Sequence, residues 1–141
     1  MALSVLLVDD HKMLRKSIRS FLETTSRLHI VGEARNGEEA LELIESLNPD
    51  VIVMDYVMPG MSALETIRQI KQRFPRKEVI ILSLYAEKAY VQGAMDAGAC
   101  GYILKEDIST YLAKAVEDAA RGVPFLSPAL GKQNTALFST D

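Results

Sequence analysis

The sequence predicts an α/β fold built on a single five-stranded parallel sheet with helices on both faces, a (βα)5 arrangement. Three observations predict it. Five short apolar runs recur along the chain, rich in β-branched residues and without polar alternation, as in strands buried on both faces. The intervals between them carry apolar residues at helical spacing. Strand and helix alternate five times, and parallel strands in one sheet need crossover connections that helices supply.

The first strand is Val5-Leu6-Leu7-Val8, and Leu14, Ile18, Phe21 and Leu22 form the apolar stripe of the first helix. The second strand is Ile30-Val31 before Gly32, followed by a helix on Ala40, Leu41, Ile44 and Leu47. Val51-Ile52-Val53-Met54 is the third, broken at Met58-Pro59-Gly60, and Leu64, Ile67, Ile70 and Phe74 mark the helix after it. Val79-Ile80-Ile81-Leu82 is the fourth strand. Between Ala86 and Ala97 the helical pattern is weaker. Gly93 in its middle costs a helix about 1 kcal/mol relative to alanine, so this fourth helix is expected to be the least rigid. Tyr102-Ile103-Leu104 is the fifth strand, and Ile108, Leu112, Ala115, Val116 and Ala119 mark the last helix. After Gly122 the segment VPFLSPALGKQNTALFSTD has prolines and no helical period. The expected organisation is a folded domain over residues 1–125 and a linker or tail over residues 126–141.

Composition limits the function classes. A chain of 141 residues fits one domain with one core. Hydrophobic residues at 48% and charged residues at 25% match globular proteins, and no apolar run approaches the roughly 18 residues of a membrane span. The N-terminus lacks a basic region and a cleavage site, so no secretory signal is read and the cytoplasm is expected. Cys100 is the single cysteine, which excludes an internal disulfide; in AGACGY it reads as a small core filler rather than a nucleophile. A net charge of −3 offers no general basic surface for nucleic acid.

Open α/β sheets carry their sites at the carboxyl ends of the strands. There Asp9 and Asp10 follow strand one, Asp55 strand three, Ser83 strand four and Lys105 strand five. Carboxylates brought together repel one another unless a cation lies between them. Mg2+ is the natural occupant, since it takes one or two carboxylates, keeps waters and coordinates phosphate oxygens. Lys105 suits a phosphoryl oxygen as a flexible point charge, and Ser83 can donate to another. A carboxylate at the end of a stiff buried strand can then accept a phosphoryl group as an acyl phosphate, and Asp55 is assigned that role. Each residue alone has a plainer reading: Asp9 or Asp10 as a helix cap, Ser83 as a strand-end hydroxyl, Lys105 as a solvated lysine. Their joint occurrence at four strand ends outweighs those readings. His11 has no second histidine or cysteine near it in sequence, so zinc is not supported. Lys12, Arg15, Lys16 and Arg19 read as the solvated face of the first helix, with partner docking as the sharper alternative.

The stretches LLVDDH, VIVMDYVMPGMSALE, IILS and DAGACGYILKED, in this order and spacing, resemble the receiver domain of bacterial two-component response regulators. The match covers about residues 3 to 130, and AVEDAARGVPFLSPAL further resembles the NarL/FixJ subgroup, whose receivers usually precede a LuxR-type helix-turn-helix domain. The resemblance implies the flavodoxin/CheY-like fold and a signalling domain that catalyses its own phosphotransfer and dephosphorylation. It makes Asp55 the phosphoacceptor, Asp10 the direct Mg2+ ligand, Asp9 its supporting acid, and the backbone carbonyl of Val57 a further metal contact. Lys105 would bind the phosphoryl group, and Ser83 and Tyr102 would be the switch pair. The implied partners are a sensor histidine kinase, a second copy on phosphorylation, and DNA only through an output domain that this sequence does not contain.

The sequence departs from that family at Ala63, where glycine is usual and where Ser62 remains available as a helix cap. It departs again at Leu84, which is larger than the usual residue and is expected to crowd the site. Without an output domain the chain reads as an excised receiver, with a natural stand-alone receiver as the alternative. Among other classes, a haloacid-dehalogenase-like phosphatase needs D-x-D after its first strand, whereas Asp9 and Asp10 are adjacent. A nucleotide-binding module needs glycines that VDDHKML lacks. A degenerate receiver would lack part of the site, which is complete here.

Overall fold

A computed structural model of the chain describes residues 2–25 and 27–133. Six strands form one sheet in the order β2-β1-β3-β4-β5-β6, where β1 is Leu3–Val8, β2 Leu28–Ala34, β3 Val51–Asp55, β4 Glu78–Ser83, β5 Gly101–Leu104 and β6 Phe125–Leu126. All neighbours are parallel. The helices are α1 (Lys12–Glu23), α2 (Gly37–Leu47), α3 (Ala63–Arg73), α4 (Lys88–Ala97), α5 (Ile108–Ala120) and α6 (Pro128–Gln133).

The apolar strands now have a physical reason. Along β1 and β3 the side chains of Leu6, Val8, Ile52 and Met54 enter one core, with Ala40 and Ile44 of α2, Ile67 and Ile70 of α3, and Val91 of α4. Val5, Leu7, Val51 and Val53 enter the other, against Ile18 and Leu22 of α1 and Leu112 and Val116 of α5. Because both faces are covered, every residue of β3 is buried and none has reason to be polar until Asp55. The edge strand β2 is half-exposed, and the register slips between Val5 and Leu6 so that Ile30 and Gly32 face consecutive residues of β1. That is why its apolar signal was the shortest.

The expected five strands become six. Beyond Gly122 the chain does not stop forming regular structure: the Phe125 N–H bonds to the Cys100 carbonyl at 3.1 Å and the Ser127 N–H to the Tyr102 carbonyl at 3.1 Å. Ser127 is buried, its Oγ accepting from the Leu104 N–H at 2.8 Å, and Leu130 is buried beside it. Two residues are too few to show a strand period, so residues 126–133 read as tail although β6 pairs with the β5 edge and α6 follows it. The rest of the expected tail lies outside the described residues.

The connections follow local chemistry. Asn36 caps α2 by accepting from the Glu39 N–H at 2.8 Å, and Ser62 caps α3 by accepting from the Glu65 N–H at 3.1 Å, as expected where Ala63 replaces glycine. Gly98 ends α4 at φ 119°, a left-handed value that glycine adopts without strain. Cys100 is buried, as expected of a filler, and burial pushes its thiol up to about 11. Among the described residues no helix is long and apolar enough to cross a membrane.

Candidate functional site

The strand order reverses between β1 and β3, and the carboxyl ends of these strands meet those of β4 and β5. Asp55 ends β3 and is 1% exposed. Its Oδ2 accepts from Lys105 Nζ at 3.1 Å and its Oδ1 from the Val57 N–H at 3.2 Å. A cavity of about 200 Å³ opens over this carboxylate, walled by His11, Val57, Ser83, Leu84 and Lys105. Leu84 stands on its rim, 76% exposed. The sequence-predicted Asp9, Asp55, Ser83 and Lys105 are thus gathered, and Asp10 joins them from the exposed side.

Asp9 is pinned on almost every polar atom. Its N–H bonds to the Ala34 carbonyl at 2.9 Å, its own carbonyl accepts from Arg15 Nη1 at 2.6 Å, and its Oδ1 accepts from the His11 N–H at 2.6 Å. Its Oδ2 is buried and has no hydrogen-bond partner among the described residues. Neither aspartate caps α1, since His11 holds the cap position without a side-chain bond. The plainer cap reading is therefore set aside.

Ligand atoms of Asp9, Asp10, His11 and Asp55 all lie within 4.8 Å of one another. Burial raises the pKa of Asp9 above the ordinary carboxylate value, and the charge of Asp55 adds to this; the His11 N–H and Lys105 oppose it. A buried carboxylate oxygen without a donor, beside two further carboxylates, has the character of a hard-cation site, and oxygen donors suit Mg2+. His11 Nδ1 stands 3.2 Å from Asp10 Oδ1 and 3.3 Å from Asp9 Oδ1, closer to the cluster than its sequence context suggested.

Ser83 is buried at the end of β4, and its Oγ accepts from the Tyr85 N–H at 2.9 Å. The hydroxyl of Tyr102 donates to the Tyr85 carbonyl at 2.7 Å. One residue, Tyr85, thus ties both members of the predicted switch pair. Tyr102 is fully buried, and burial pushes its phenol up to about 12. The Tyr85 ring stacks on Tyr90 of α4 with centroids 4.5 Å apart, and Tyr56 meets Tyr90 edge-on at 5.5 Å. Four of the five tyrosines therefore cluster beside Asp55. Nothing in their spacing announced this, because they come from the ends of β3 and β4, from within β5 and from a helix.

A second element escaped the sequence. Arg15 and Arg19 do not form a solvated face: both hold Glu33 of β2, at 2.8 and 2.7 Å, and the Arg15 side chain is only 13% exposed. Helical periodicity identified Ile18 and Leu22 of the α1 stripe, with Phe21 instead exposed, but could not show that a carboxylate on β2 faces the margin of the helix.

The model of the response regulator receiver domain matches residues 5–117. The chain belongs to the response regulator receiver domain family. This receiver is 39% identical over 127 residues to the nitrate/nitrite response regulator protein NarL of Escherichia coli, covering 90% of this chain and 59% of that protein. It is 40% identical over 128 residues to the response regulator protein VraR of Staphylococcus aureus, covering 91% and 61%. The receiver is thus of the NarL/FixJ type and spans about three-fifths of these relatives. Among solved structures, a two-component response regulator of the LuxR family from Aurantimonas superposes with a TM-score of 0.91 at 29% identity, covering 96% of this chain and 97% of that one. The isolated receiver of RcsB from Salmonella enterica, determined with the phosphomimetic BeF3-, superposes at 0.86 and 26% identity over 94% of this chain and 98% of that one.

Proposed function

We propose that this receiver accepts a phosphoryl group on Asp55 from a phosphohistidine of a sensor histidine kinase and turns that charge into a change of surface. One observation carries the reading. A buried carboxylate at the floor of an open cavity has an ammonium on one oxygen and an acidic cluster with an unpartnered oxygen beside it.

A carboxylate oxygen of Asp55 attacks phosphorus; the new P–O bond forms as the P–N bond to the donor imidazole breaks, and that imidazole leaves with the electron pair and takes up a proton. Lys105 exchanges its contact with the carboxylate for one with the phosphoryl oxygens. Asp10, Asp55 and the Val57 backbone carbonyl would hold Mg2+, with Asp9 as supporting acid. When bound, the ion offsets repulsion between the incoming phosphoryl group and the carboxylates. The same groups of this chain serve transfer and later hydrolysis of the acyl phosphate.

The acyl phosphate carries about −1.5 to −2 charges where the carboxylate carried one, so the site gains about one negative charge at most, together with three strong acceptor oxygens. Ser83 Oγ, which accepts from the Tyr85 N–H, then has a charged acceptor for its own proton, and turning the hydroxyl toward the phosphoryl oxygens releases the Tyr85 N–H and loosens the segment that also holds Tyr102 and α4. The expected outputs are self-association and control of a helix-turn-helix domain outside this chain, which alone would meet DNA, and the setting is the cytoplasm. Radiolabelled acetyl phosphate with Mg2+ tests the chemistry. Label that hydroxylamine strips marks an acyl phosphate; label that resists it contradicts the assignment to a carboxylate.

A further inference from the structure

Arg15 is a firmly held cation beside the site and has no part in the mechanism above. Its Nη1 donates to the Asp9 carbonyl at 2.6 Å and its Nε to Glu33 Oε1 at 2.8 Å. Glu33 is held in turn by Arg19 Nη2 at 2.7 Å, and Arg19 Nη1 reaches Glu23 at 3.1 Å. The guanidinium thus spans α1, the β2 edge and the end of β1, with two bonds of different direction that its planar fork fits and an ammonium does not.

The bond to Asp9 falls on an informative atom. The Asp9 carbonyl and the Asp10 amide belong to one planar peptide unit, so fixing the first sets the direction in which Asp10 leaves the strand. The preceding peptide unit is fixed by the bond from the Asp9 N–H to Ala34. With Oδ1 of Asp9 turned to the His11 N–H, the oxygen left over is the buried, unpartnered Oδ2.

We propose that Arg15 is a positioning residue for the metal site: it locks the Asp9–Asp10 peptide so that the acidic cluster is assembled before the ion arrives. This rests on the reading of the cluster as a Mg2+ site. Groups behind metal ligands commonly change affinity by about 10–100-fold when removed. Charge alone predicts the opposite sign. Arg15 is a cation beside an intended cation site, so deleting it would tighten Mg2+ binding if its field were what mattered. The direction of the change therefore separates positioning from electrostatics.

The test is calorimetric titration of MgCl2 into the wild type, R15A and R15K at a temperature well below unfolding, alongside thermal melts of the metal-free proteins. The expected result is a Kd raised about tenfold or more in R15A and by less in R15K, which keeps the charge and can make only one of the two contacts well. A general loss of stability would lower the melting temperature without changing Kd. If R15A does not fold, R15K against wild type carries the same comparison. An unchanged or tighter Kd in R15A, or in R15K where that variant stands alone, overturns the positioning role while leaving the metal site intact. A wild type that takes up no Mg2+ overturns the metal site and this role with it.

Discussion

Asp10 and Asp9 stand side by side in sequence, yet the structure gives them different surroundings, and the predictions at the scale of single residues follow from that. Asp10 is 36% exposed in its side chain, Asp9 2%. Replacing Asp10 by alanine is expected to weaken Mg2+ binding and slow phosphorylation, with partial rescue by excess Mg2+; an unchanged titration would leave Asp10 without a metal role. Asp9 introduces pH. Its native pKa lies above the model-compound value of 3.8, so the folded state holds the proton more tightly than the unfolded one. In the metal-free protein, stability associated with Asp9 is fully present below pH 3.8 and is lost as pH rises through the native value. Mg2+ needs the ionised form, so its affinity is expected to rise with pH through that window and then level off, as titrations at several pH values will show. Leu84 supplies a rate prediction. Its side chain stands on the rim of the cavity, so L84A is expected to be labelled by acetyl phosphate faster than wild type; an equal or slower rate would remove steric gating.

At the scale of elements, the segment from Asp55 to α3 shows what a strand end needs in order to become a site. Gly60 turns the chain at φ 79°, and a Cβ there would lie 3.0 Å from Glu38 Oε2, while Glu38 Oε1 accepts from the Met61 N–H at 2.8 Å. G60A is expected to lose about 1–2 kcal/mol of stability in urea unfolding from the left-handed conformation alone. The α/β alternation, all five longer strands and the convergence of Asp9, Asp55, Ser83 and Lys105 were legible because each lies in a run whose period or burial dictates it. The Arg15–Glu33–Arg19 network, the tyrosine cluster and β6 were not. Each depends on residues brought together only by the sheet order, or on an element too short to carry a period. Tyr85 is the clearest example. What ties Ser83 and Tyr102 together is its backbone N–H and carbonyl, which any residue except proline would supply, so its identity gave no signal of that tie.

For the whole molecule, the two cores on either side of one sheet make the strand ends a rigid frame, and the switch must lie in what is attached to it. Titration of buried groups reports on that frame. Cys100 and Tyr102 have native pKa values pushed up to about 11 and about 12, from 9.0 and 10.0. Their contribution is complete below pH 9.0 and is lost as pH rises through about 11 and about 12, so stability is expected to fall steadily across that alkaline range in denaturant titrations. The same burial predicts that the Cys100 thiol resists alkylation at neutral pH until the protein is unfolded. Every expectation for the switch depends on phosphoryl transfer to Asp55. Intact mass after incubation with acetyl phosphate and Mg2+, on wild type and D55N side by side, tests it most directly. A gain of one phosphoryl group is expected in the wild type and none in D55N; no gain in either, or the same gain in both, would rule out Asp55 as the acceptor.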